Sequence, residues 1–193
     1  HAICWANRPP AHGSLIIEAL YLLEFILTVV ETERLCIREI TDADAQELSK
    51  VLADPTVMKY STVGVHSKQQ IHEYIVNCQK QYELNGYGHW AIYNSSTSDF
   101  IGVCGLNKHE IDSGEVIHIN YRLAANQQGK GYAVESTLGI LDFAKHSLKL
   151  KAVHALIEPE NIRSVKVVNR TGFEFVEASS FRGFKIDVYQ VSL

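Results

Sequence analysis

The sequence predicts an α+β (α/β) domain, and three observations lead there. From residue 31 onward, short runs that alternate apolar and polar residues interleave with longer runs at helical spacing, in the order β-α-α-β-β-β-α-β-α-β-β. The chain has 193 residues, 46% hydrophobic and 21% charged, enough to bury a core without disulfide or metal staples. A glycine-punctuated turn, Gln128 to Ala133, joins one predicted strand directly to a helix. This composition excludes collagen, a disordered tail and a disulfide-rich scaffold.

Residues 1–30 stand apart as an N-terminal extension to a domain of residues 31–193. Arg8-Pro9-Pro10 and Gly13 have the composition of a tail or linker. Ser14 to Val30 is almost wholly apolar, broken only by Glu18, Glu24 and Thr28. Its 17 residues fall short of the ~20 that a bilayer needs, and two carboxylates would be costly there. A signal peptide fits no better, with one Arg ahead of the stretch and no A-x-A site after it. We read an amphipathic or buried helix, capped by Ser14, that packs on the domain or across a homodimer. A chain that begins with His1 leaves a mis-set start as another origin for this segment.

The domain opens with Arg34 to Ile40, whose alternation reads as a strand. Thr41 or Asp42 caps a helix to about Ala53, with Ala45, Leu48, Val51 and Leu52 on its apolar side; Asp54-Pro55 stops it. Ser67 opens a second helix through about Leu84, with Ile71, Tyr74, Ile75, Cys78 and Tyr82 at helical spacing, and Asn85-Gly86 ends it. Three strands follow, His89–Asn94, Phe100–Leu106 and Val116–Leu123, parted by the polar turns Ser95–Asp99 and Asp112–Gly114. A helix from about Gly131 to Leu148, a strand Ala152–Ile157 and a short helix Asn161–Asn169 come next. Strands around Phe173–Ala178 and Lys185–Val191 finish the chain, and Trp90, Phe173 and Phe175 are read as core.

A net charge of −4 argues against bulk attraction to nucleic acid or an anionic membrane. Residues 1–121 hold 15 acids and 8 Lys/Arg, and residues 122–193 hold 7 and 10. The later part suits a polyanion and the earlier part a cation, unless the split is chance scatter on a solvated surface. Cys4, Cys36, Cys78 and Cys104 form no CxxC and no zinc spacing, so no metal site is expected. Small buried thiols at Cys36 and Cys104 fit a reducing, cytoplasmic compartment.

The turn after Val116–Leu123 carries the chemistry. Glycines let the backbone curl so that successive N–H groups point inward, and the helix start adds unsatisfied donors and a positive dipole end. Such a turn takes a phosphate or pyrophosphate, or it is merely a tight connection. It is not a Walker A, because no Gly-Lys-Ser/Thr follows a four-residue spacer. It is also a poor dinucleotide fingerprint: the third glycine is missing and a meander of strands precedes it.

Gln128-Gly129-Lys130-Gly131-Tyr132-Ala133 resembles the Q/R-x-x-G-x-G/A signature of the GNAT superfamily of N-acetyltransferases. Further landmarks resemble its RimJ/RimL-type subgroup of ribosomal-protein N-terminal acetyltransferases: Thr32–Arg38, Asp54–Tyr60, Ile101–Leu106, Gly131–Glu135, Asn161–Ser164 and Gly172-Phe173. The resemblance runs through residues 31–193. It implies a mixed, mostly antiparallel sheet flanked by helices and splayed between the fourth and fifth predicted strands, Val116–Leu123 and Ala152–Ile157. It also implies acetyl-CoA as cosubstrate and an amine acceptor, either a protein N-terminus or a small molecule such as an antibiotic or polyamine. The first two helices form the acceptor wall in that family, which the acidic early part would suit. A non-catalytic acyl-CoA-binding module is the alternative reading.

By the same resemblance the backbone N–H groups of Gly129, Lys130, Gly131, Tyr132 and Ala133 cradle the pyrophosphate, with the Gln128 side chain beside them. The pantetheine arm pairs with the backbone around Tyr121 and Leu123. His118 stands where family members often carry Glu, and an imidazole of ordinary pKa, ~6.5, would take the amine's proton; a hydrogen-bonded strand residue is the plainer reading. Glu115, His154 and Glu158 are weaker candidates. Many relatives protonate the leaving thiolate with a Tyr seven residues after the Asn161 position, and here Val168 occupies that site. The subgroup turns to Ser164 instead. Asn161 caps its own helix, bonds the pantetheine amide, or both.

Overall fold

The structure, a computed structural model, describes residues 28–193. Within these residues eight strands form one sheet in the order β1-β2-β3-β4-β5-β6-β8-β7. β1 (Thr28–Glu31), β2 (Leu35–Glu39), β3 (His89–Asn94), β4 (Phe100–Ile111) and β5 (Gly114–Leu123) make an antiparallel meander. β6 (Ala152–Ile157), β8 (Phe184–Ser192) and β7 (Glu174–Phe181) form a second antiparallel group. The groups meet where β5 lies parallel to β6, and there a single pair is in register, His118 with His154. Over the rest of their length these two strands form no ladder. This is the splay expected between Val116–Leu123 and Ala152–Ile157.

Among the described residues four α-helices cover the sheet. α1 (Ala45–Leu52) and α2 (Lys68–Asn85) bury Leu48, Val51, Leu52, Ile71, Ile75 and Cys78 on one face, against Ala91, Phe100 and Val103. α3 (Tyr132–His146) and α4 (Ile162–Arg170) bury Ile140, Leu141, Ala144 and Val168 on the other, against Leu35, Ile37, Trp90, Ile92, Cys104 and Ile119. α2 begins where its sequence says it should: the Ser67 hydroxyl accepts from the Gln70 amide, and the Gln70 Oε1 accepts from the Ser67 amide. It ends at Gly86, whose φ of 72° suits glycine.

Three expectations need correction. Residues 28–30, read as the end of an apolar helix, form β1 instead; β-branched Val30 pairs with Ile37, and the strand closes the sheet edge over α3. The remainder of that helix lies outside the described residues. The β4–β5 hairpin runs on to Ile111 and back from Gly114, because Asn107–Glu110 continue the alternation with partly exposed side chains. Phe175 is 57% exposed on the edge strand β7, whereas Trp90 and Phe173 are core.

Among the described residues, Asp44 is the one carboxylate in the buried class, at 1% exposure. It takes a two-pronged bond from Arg38 (3.0 and 2.7 Å) and a third from the Tyr93 hydroxyl (2.5 Å). Burial alone would raise its pKa, but these donors hold it below the usual carboxylate range. The triad locks β2 and β3 to the turn that starts α1. No helix among the described residues is long and apolar enough to cross a membrane.

Candidate active site

The turn between β5 and α3 is built by two left-handed glycines, Gly129 (φ 77°) and Gly131 (φ 87°), the second standing at the helix N-cap without a side chain to cap it. None of the backbone N–H groups from Gly129 to Val134 finds an acceptor among the described residues. The turn is braced from outside. Arg34 donates to the Lys130 carbonyl (3.1 Å) and pairs with Glu135 (2.6 Å), which also accepts from the Thr32 hydroxyl and the Arg34 amide. Burial would raise the Glu135 pKa; the bonds from Thr32 and Arg34 lower it. Lys130 reaches back to the Gln127 side chain (2.9 Å).

The gap between β5 and β6 opens beside this turn. The Tyr121 hydroxyl donates across it to the Ser164 carbonyl (3.2 Å), and burial pushes the phenol up to about 12. The Asn161 Oδ1 accepts the Ser164 amide at 3.3 Å, so Asn161 does cap α4. Gln128 does not stand free beside the turn. Its Nε2 donates to the Leu123 carbonyl (3.1 Å) and its Oε1 accepts from Arg163 (2.7 Å), which makes it a strut from β5 to α4. Val168, at the position where relatives place a Tyr, is wholly buried core.

On the α1–α2 face, β5 presents His118, Asn120 and Arg122. His118 is 8% exposed, its Nε2 has no partner, and burial, aided by the positive fields of His109 and Arg122, depresses its pKa to about 3. The near-neutral imidazole expected from the sequence is therefore corrected: this ring is neutral at pH 7 because it is desolvated. His89 on β3 is also neutral, its pKa pushed down to about 3 by burial and then by Arg122. Asn107 donates to its Nε2 (2.6 Å), so Nδ1 carries the hydrogen and points at the Tyr74 oxygen 2.7 Å away.

A family model described as "Acetyltransferase (GNAT) domain" matches residues 34–174. This chain belongs to the GNAT acetyltransferases. An uncharacterized N-acetyltransferase, p20 of Bacillus licheniformis, is 31% identical over 167 residues, covering 84% of this chain and 93% of that one. The RimL ribosomal L7/L12 alpha-N-protein acetyltransferase, solved with coenzyme A, is similar in fold with TM-score 0.69 at 15% identity, covering 86% of this chain and 98% of the other. The spermidine N-acetyltransferase of Vibrio cholerae, solved with CoA and spermine, is similar at TM-score 0.67 and 16% identity, covering 83% and 96%.

The acetyltransferase uses acetyl-CoA, and its residues fit that molecule: a row of unpaired amides stands at a helix start beside an unzipped strand pair. Among the predicted residues, the fold brings Tyr121, Leu123, Gln128–Ala133, Asn161 and Ser164 to the gap and its rim. It also sets His118 on the α1–α2 face, in register with His154, whose Nε2 bonds Gln190 (3.1 Å). It does not bring Glu115 there, since that side chain is exposed and paired with Lys108 (2.8 Å). Glu158 lies partly exposed just past the end of β6. Sequence reasoning missed Tyr74, His89 and Asn107, whose polar side chains at otherwise apolar or strand-end positions were the available signal.

Proposed function

We propose that the chain acetylates a primary amine, with the amides of Gly129 to Ala133 holding the pyrophosphate of acetyl-CoA. The observation that carries this is the run of N–H groups without an acceptor in the protein, aimed by two left-handed glycines and a helix start. Tyr121 and Leu123 offer backbone groups along the gap to the pantetheine arm. The Leu123 carbonyl is already bound to Gln128, so its share is reduced to the rest of its backbone. Asn161, its Oδ1 used as a cap, keeps an amide hydrogen for the same arm.

Acetyl-CoA supplies an acetyl thioester: a C–N bond to the amine forms, the C–S bond breaks, and the nitrogen's proton is lost as the sulfur gains one. His118 is neutral at pH 7 and offers its partnerless Nε2 to a hydrogen bond from the attacking nitrogen, whose acidity climbs as it becomes positive. The Ser164 hydroxyl has no partner among the described residues and donates toward the sulfur, with the Tyr121 phenol, held protonated by burial, next to it.

Calorimetric titration with acetyl-CoA, CoA and NAD tests the reading. Micromolar binding confined to the CoA forms, lost in Gly131→Glu with the fold intact by circular dichroism, is the expected result. Unchanged affinity in that variant removes the turn from the site.

A further inference from the structure

The cofactor side accounts for only half of the polar residues gathered at the centre of the sheet. His118, Asn120 and Arg122 follow the strand alternation onto the opposite face. Arg122 lies in register with Val103, and Asn120 with Gly105, whose other neighbour is His89. Glycine is needed at 105 because the strands approach closely there: a Cβ would come 2.3 Å from the Gly88 carbonyl oxygen and 2.8 Å from the His89 ring. Tyr74 of α2 and His66 of its leading loop close over this floor, their rings 6.0 Å apart edge to face.

Two features of this chamber stand out physically. First, its polar atoms are unsatisfied. Among the described residues seven buried side-chain N or O atoms lack a partner, and four of them belong here: His118 Nε2, both amide atoms of Asn120 and His66 Nδ1. Native interiors leave few such groups, and a cluster of them marks a place where a ligand completes the bonding.

Second, the chamber holds a cation without a counter-ion. Arg122 is only partly exposed and makes no hydrogen bond or ion pair with any described residue. The ionisable groups within its field are Tyr74, His66, His89 and His118, and no carboxylate is among them. The inward carboxylates of the fold are committed elsewhere, Asp44 to Arg38 and Glu135 to Arg34. Glu73 and Glu83 of α2 are exposed. Glu47, Asp54 and Asp99 line a separate cleft beside Phe100 and Ala124, so the wall is positive or neutral around Arg122 itself. A desolvated charge with no partner is strongly unfavourable, unless a ligand brings the opposite charge.

We propose that Arg122 receives a carboxylate or phosphate carried by the acceptor itself, so that the substrate is a small anionic amine, of the amino acid or aminoalkyl phosphate class, and not a polyamine. This rests on the acetyltransferase reading of the same site. The guanidinium fork matches either oxyanion with two parallel bonds. Residues 118 and 122 stand about 13 Å apart along the strand at their Cα atoms, with Asn120 between them offering both a donor and an acceptor. An anion at Arg122 thus leaves the amine near Asn120 and His118. Burial and a positive wall both disfavour an ammonium ion, so the acceptor's nitrogen is driven to its neutral, nucleophilic form. A polyamine, all cation, gains nothing from this lining.

The test uses the full chain and a matched amine panel: α-amino acids against their amides, aminoalkyl phosphates against their methyl esters, and spermidine. Acetyl-CoA affinity is measured first, in the wild type and in Arg122→Met, and is expected to match; absent binding in the wild type sinks the acetyltransferase site and not this proposal alone. With binding established, an acid is expected to exceed its neutral analogue by at least about 100-fold in kcat/KM. That ratio falls to within about threefold in Arg122→Met and is partly restored in Arg122→Lys. Whether carboxylates or phosphates lead identifies the anion. Turnover of amides, spermidine or an N-terminal peptide as efficient as that of any acid overturns the proposal. So do an unchanged ratio in Arg122→Met and failure of every anionic amine to react.

Discussion

The phenol of Tyr121 donates its hydrogen to the main-chain carbonyl of Ser164 at 3.2 Å, tying β5 to α4 across the one place where the sheet has no ladder. The bond fixes the first turn of α4 and hence the direction of the Ser164 side chain. Tyr121→Phe should lower stability by about 1 kcal/mol, the net worth of such a bond, measured by denaturant titration. Ser164→Ala should lower kcat by less than about 100-fold with acetyl-CoA affinity unchanged, because a thiolate leaves well without full protonation. An equal loss in affinity would make Ser164 a binding residue.

His118→Ala should reduce turnover without altering the acid limb of kcat near neutrality. The wild-type ring, with its pKa depressed to about 3, is already neutral across that range. Rate profiles between pH 5 and 9 for both proteins check this. An acid limb near pH 6.5 in the wild type that vanishes in the variant would show a solvated, ordinary imidazole.

Two buried neutral histidines also set the acid stability. His89 and His118 have folded-state pKa values of about 3, below the ordinary 6.5, so the unfolded chain binds protons first as pH falls. Stability is full above about pH 6.5 and declines between there and about pH 3, at roughly 1.4 kcal/mol per pH unit for each ring. Urea unfolding from pH 7 to pH 4.5 should show that slope, and His118→Gln should remove about half of it. A flat profile over this range would contradict both shifts.

Asp44 works in the other direction of design, as a charge that is fully answered. Replacing it with Asn leaves Arg38 beside Tyr93 without its carboxylate and should cost about 3 kcal/mol. The native carboxylate contributes above the ordinary carboxylate range and loses that contribution as pH falls through its lowered pKa. Thermal melts of Asp44→Asn at pH 7 and pH 3 should differ from wild type far more at the higher pH.

Much of this was legible in the residues. Period-two runs and capped helices located the elements from Arg34 to Val191 because burial on one face writes its period into the sequence. The turn between β5 and α3 was legible because Gly129 and Gly131 occupy backbone angles that other residues resist. β1 was not, since Thr28-Val29-Val30 merges with the apolar run before it and its pairing with β2 is a tertiary fact. The acceptor chamber was half legible: alternation put His118, Asn120 and Arg122 on one face. That Arg122 would meet Tyr74 and His89, and no acid, depends on residues tens of positions away. A missing counter-ion has no sequence pattern.

The single registered pair between β5 and β6 places a free edge in the middle of the sheet instead of at its rim. Amide hydrogen exchange ordinarily slows toward a sheet's centre. In this protein the slow regions should form two islands, the β2–β5 ladder and the β6–β8 ladder, with a fast seam between them at those amides of Ile119–Leu123 that point away from β4. An internal edge is also an open template for an extended chain, the feature that elsewhere invites aggregation. Here the strut from Gln128 to Arg163 and the bond from Tyr121 to Ser164 keep α4 standing guard over it.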